Sequence, residues 1–160
     1  MIRRVSLLAG IGALLLIGLT ASPASAATSG QDINDLRSNN GGGTLHIRLT
    51  WLDGSLQVSD SSTNYLRDLA SDGSGPYAHI IGGGSGAGGP IYIHNTAGAG
   101  TNVRVHGFIF GTMPYVDAWT CQGGNADGIG ATYCHGRRYF NQNISPGKGS
   151  EALRENTIPY

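Results

Sequence analysis

The stretch Thr44-Leu45-His46-Ile47-Arg48-Leu49-Thr50-Trp51-Leu52, followed at once by Asp53-Gly54, decides the fold class. Leu45, Ile47, Leu49 and Trp51 alternate with His46, Arg48 and Thr50. That period of two places one face of a strand in a core and the other toward solvent. Asp-Gly is favoured in two-residue type I′ turns, where both turn positions need φ > 0. Ser55 to Ser59 then returns with Leu56 and Val58 on one face, so a β-hairpin is expected here.

Further strands are expected at Tyr77 to Ile81, Ile91 to His94, Asn102 to Phe110 and Gly136 to Phe140. Their connections, Gly82 to Pro90 and Ala97 to Thr101, are nearly free of large side chains, which permits tight reversals with φ > 0. A glycine-rich loop can also cradle a phosphate, but that needs a helix start behind it and a basic partner. Here a strand follows Gly82 to Pro90 and no lysine is near. Three short segments read as helical. They are Asp32 to Arg37, Asn64 to Ala70 with Leu66, Leu69 and Ala70 at helical spacing, and one turn at Glu151 to Glu155. From Gly111 to Trp119 the pattern loosens.

Composition agrees with this pattern. Twenty-seven of 160 residues are glycine, far above the usual ~7%, and glycine costs about 1 kcal/mol in a helix interior. No three-residue period marks a collagen. The expected fold is all-β or β-rich with a minor α component: a small antiparallel sandwich or barrel with Gly-rich loops and one disulfide.

Arg3 and Arg4, an apolar run from Leu7 to Leu19, and Ala24-Ser25-Ala26 together read as a cleavable secretory signal over residues 1–26, of a kind that resembles those of high-GC Gram-positive bacteria. The apolar run is shorter than the ~20 residues a membrane span requires. The expected organisation is therefore a signal at 1–26, a flexible arm at 27–43 with a short helix in it, and one β-rich domain at 44–160. Removing Arg3 and Arg4 leaves eight basic and ten acidic residues, a formal charge of −2. Without a basic excess or stripe, nucleic-acid binding is not expected, nor is membrane attachment after cleavage. Cys121 and Cys134, two cysteines in an exported chain, are expected to form a disulfide.

The candidate chemistry lies in the histidines and one aspartate. His46, His79, His94 and His106 fall on expected strands, where imidazoles sharing a face would serve as general bases or ligands. No His-x-His or His-Glu-x-x-His spacing supports a metal site, and no metal or other cofactor is expected. Asp53, Asp72 and Asp127 each precede glycine as turn formers. Asp60, Asp68, Glu151 and Glu155 carry no motif, and Asp117 stands out between Tyr115 and Trp119 in an apolar stretch. Gly84-Ser85-Gly86 lacks the spacing of a hydrolase nucleophile elbow.

The leading expectation is a secreted, monomeric, non-catalytic binding protein: an inhibitor, a glycan binder or a cell-surface factor with an extracellular protein or glycan partner. Its contact site would be Tyr115, Asp117 and Trp119, rings flanking a carboxylate beside a disulfide-fixed loop. The alternatives are a small secreted hydrolase using His79, His94, His106 or Asp117, and a secreted toxin or antimicrobial protein, for which no cationic amphipathic helix is present.

Overall fold

A computed structural model describes residues 28–52, 55–84, 88–123, 130–145 and 147–153. The expected signal segment and the Asp53-Gly54 turn lie outside the described residues. Among those described there is no helix. The strands are β1 (Ser29–Arg37), β2 (Gly43–Leu52), β3 (Ser55–Val58), β4 (Tyr65–Asp68), β5 (Pro76–Gly83), β6 (Ile91–His94), β7 (Asn102–Arg104), β8 (Phe108–Phe110), β9 (Tyr115–Gln122), β10 (Thr132–Phe140) and β11 (Ser150–Ala152). No described helix is long and apolar enough to cross a membrane.

All strand pairs are antiparallel and form two sheets. The first runs β7-β4-β2-β3-β8, with β1 along the opposite edge of β2; the second runs β11-β10-β9-β5-β6. The alternation in β2 does what the period of two requires. Leu45, Ile47, Leu49 and Trp51 are at most 2% exposed and point to the second sheet. They meet Ala78 and Ile80 of β5, Ile93 of β6, Val116 and Ala118 of β9 and Tyr139 of β10 in one core between the sheets. The hairpin pairs as expected, with Trp51 opposite Leu56 and Leu52 opposite Ser55.

Four expectations are corrected. The arm with its short helix is strand β1, paired with β2 from Ser29 to Arg37. Ile33 and Leu36 have the spacing of a helix face, but a bulge between them, with Asp35 at φ 55°, turns both into the core. The helix expected at 64–70 is strand β4: Leu66 and Asp68 face inward, Tyr65 and Arg67 outward, on the edge of β2. The expected strand at 102–110 breaks into β7 and β8. Between them Gly107 passes so close to the 58–60 backbone that a Cβ would lie 2.9 Å from the Asp60 amide nitrogen. Of the expected turn at 151–155, Glu151 and Ala152 belong with Ser150 to β11; 154 and 155 lie outside the described residues.

The central strands of the second sheet, β5 and β9, are buried on both faces. On the outer face of this sheet Tyr77, Trp119 and the Cys121–Cys134 disulfide form a second, smaller core, covered by Ile81, Ala131 and Leu153. A disulfide is consistent with an oxidising compartment.

Candidate functional site

Tyr115, Asp117 and Trp119 occupy consecutive outward positions of β9, so the structure does bring them together. They form a packed band rather than an open patch. Trp119 is 3% exposed and lies flat over β10 at Gly136, where a Cβ would come within 2.3 Å of the indole. Tyr115 lies in the same way over Gly83. Glycine is what lets each ring reach the backbone of the neighbouring strand. Asp117 accepts two hydrogen bonds from Arg138, from Nε at 2.7 Å and Nη2 at 2.8 Å. The Arg138 guanidinium also sits 3.7 Å above the Tyr115 ring. Its pKa is raised further above the ordinary arginine value, chiefly by the Asp117 hydrogen bond. The carboxylate is committed to a bidentate ion pair, the strong form of charge-assisted hydrogen bonding.

The histidines divide into three environments. His46 is on the outer face of the first sheet, 2.8 Å from Asp35 and stacked on Tyr65. That hydrogen bond is the main cause of the lowered pKa of Asp35. His94 and His106 line an apolar cleft of about 360 Å³ at the open edge between β6 and β7–β8. His79 is 1% exposed, stacked between Tyr92 at 4.9 Å and Trp119 at 5.5 Å. Neither of its ring nitrogens has a hydrogen-bond partner, and burial pushes its pKa down to about 4. It is a neutral ring in an aromatic stack. Among the described residues no group of three or more His, Cys, Asp or Glu side chains could hold a metal ion.

This burial has a pH consequence. His79 ionises near 6.5 when unfolded and only near 4 when folded, so protonation favours the unfolded chain. The neutral ring's contribution is complete above pH 6.5 and is lost as pH falls toward 4, with a loss of up to about 3 kcal/mol. Urea midpoints measured from pH 7 to 4 should show this slope, and His79→Phe should flatten it. Asp35 acts lower, below its ordinary 3.8, so the two windows separate.

A hollow at one end of the sandwich has a volume of about 620 Å³. Two loops form it: residues 69–75 between β4 and β5, and 95–101 between β6 and β7, with Gly123 beside them. A buried amide side chain ties down each loop. Asn95, fully buried, donates through Nδ2 to the Leu66 carbonyl (3.2 Å) and the Thr101 carbonyl (2.9 Å). Its Oδ1 accepts from the Ala97 amide (3.0 Å) and lies 3.1 Å from the Thr101 hydroxyl. Gln122, 3% exposed at the end of β9, donates through Nε2 to the Ser74 carbonyl and to Asp72. Gly75 locks the loops together, since a Cβ there would meet the Asn95 carbonyl oxygen at 1.8 Å. Gly75→Ala should therefore displace one loop and lower stability by about 1–3 kcal/mol, the range for overpacking a tight contact, as read by thermal unfolding.

Asp68 lines this hollow from the last position of β4. It is 2% exposed. Oδ1 accepts from the Ala70 amide at 3.0 Å, while Oδ2 has no hydrogen bond and the carboxylate no ion pair among the described residues. Of the expected site residues only His94 reaches this hollow. Asp68, Asn95 and Gln122 were not singled out by sequence reasoning. The inward parity of Leu66 and Asp68 is the one signal that could have found Asp68. No family model, curated protein or solved structure matches the chain.

Proposed function

We propose that this chain is a secreted, non-catalytic binding protein whose contact site is the hollow between the 69–75 and 95–101 loops. The observation that carries the reading is the paired anchoring of those loops by two buried amides, Asn95 just past the end of β6 and Gln122 at the end of β9. A loop already fixed in place loses less entropy on binding, which is why preorganised loops make good recognition surfaces. Two of the groups a hydrolase would draw on are otherwise engaged: Asp117 is held by Arg138 and His79 is stacked between two rings.

The test uses the mature chain, expected to start at Ala27, incubated with intact bacterial cells, purified cell-wall sacculi and culture-medium proteins. Ala97 is exposed on the rim of the hollow, so Ala97→Trp should fill the hollow without disturbing the core. Wild type should be retained on one of these fractions, and Ala97→Trp about tenfold less or worse, the effect of about 1.4 kcal/mol. Equal retention of both, or retention on none, would overturn the reading. Turnover in a parallel hydrolase screen would overturn its non-catalytic part.

A further inference from the structure

We infer that the hollow takes a neutral polyhydroxylated ring, the terminal sugar of a glycan, with Asp68 as the hydrogen-bond acceptor that orients it. This rests on the binding reading above and adds a ligand class to it. The walls select against other chemistries. Among the described residues they carry no large apolar side chain, only Ala70, Ala97, Ala99 and glycines beside the polar groups, so an apolar ligand would gain little by burial. Asp68 on the wall and Asp72 within the same loop repel anions. A divalent cation would need several oxygen ligands converging on one point, and no cluster of acidic or imidazole groups among the described residues provides a metal site.

What remains fits hydroxyl groups. Asp68 Oδ2 is a carboxylate oxygen on a nearly buried side chain with no partner among the described residues, and a hydroxyl donating to it makes a charge-assisted bond. Ser71, Ser74 and Thr96 line the same space and can both donate and accept, and the His94 imidazole adds a polar group from β6. The volume of about 620 Å³ is in the range of small-molecule sites. A ring that presents several hydroxyls and no charge meets every one of these groups without leaving a buried charge opposed.

The experiment is saturation-transfer NMR and calorimetry on the mature chain with glucose, galactose, mannose and N-acetylglucosamine, and with benzoate, hexylamine and calcium as anionic, apolar-cationic and metal controls. At least one sugar should bind saturably and the controls should not. Asp68→Asn keeps an oxygen for the Ala70 amide but loses the charge, and should weaken that sugar about tenfold or more. If Asp68→Asn fails to fold, Ala97→Trp, outside the core, should abolish the same signal. Saturable binding by no sugar, or equal binding by the wild type and both variants, overturns the inference. Retention on cells or sacculi that is sensitive to Ala97→Trp, with no sugar binding, would overturn the ligand class alone and leave the hollow as the contact site.

Discussion

Trp119→Ala should lower the stability of this protein by about 3–5 kcal/mol, the cost of removing a large aromatic side chain from a packed interior. The indole is 3% exposed and packs with Tyr77 and the disulfide in the outer core of the second sheet. It also carries the stack through His79 to Tyr92, so its loss leaves a cavity that rigid neighbours cannot close. The indole Nε1 has no hydrogen-bond partner, so Trp119→Phe should cost much less, because it retains most of the ring and removes an unsatisfied donor. Urea denaturation of both variants checks this. A near-neutral Trp119→Ala would mean that the ring is a surface group, as the Tyr115-Asp117-Trp119 site of the sequence reading requires.

The second large effect belongs to the disulfide. Cys121 and Cys134 are 13 residues apart in sequence and join β9 to β10 at the bulge between Thr132 and His135. Closing a loop of this size is worth about 3 kcal/mol in the chain-entropy model, and loss of a native disulfide from a small domain costs about 2–5 kcal/mol. Both sulfurs are buried against Trp119 and Tyr77, so the double replacement by alanine also loses packing and should fall in the upper half of that range. A midpoint shift equivalent to less than about 1 kcal/mol would contradict this.

The sequence pattern was most legible where one face of a strand meets the core and the other meets water. β2 and β3 have that environment, and their alternation and pairing follow directly. β9 does not: both of its faces are buried, so Val116, Asp117, Ala118, Trp119 and Thr120 show no period. In β1 a bulge inserted a residue between Ile33 and Leu36 and so imitated helical spacing. The candidate site was the least legible part. Asn95 and Gln122 act through long-range hydrogen bonds, from Asn95 to Leu66 and from Gln122 to Asp72 and Ser74. No local pattern in the chain encodes such partners. His94 was legible as a polar strand residue, but its place in the same hollow as Asp68 depends on how the two sheets end together.

Amide hydrogen exchange of the mature chain with and without soluble cell-wall fragments shows whether binding takes place in the hollow. Binding there should add protection in 69–75 and 95–101 and leave β1, β8 and β10 unchanged. Protection confined to the β6 and β8 edges of the apolar cleft, or to Tyr115–Trp119, would contradict it.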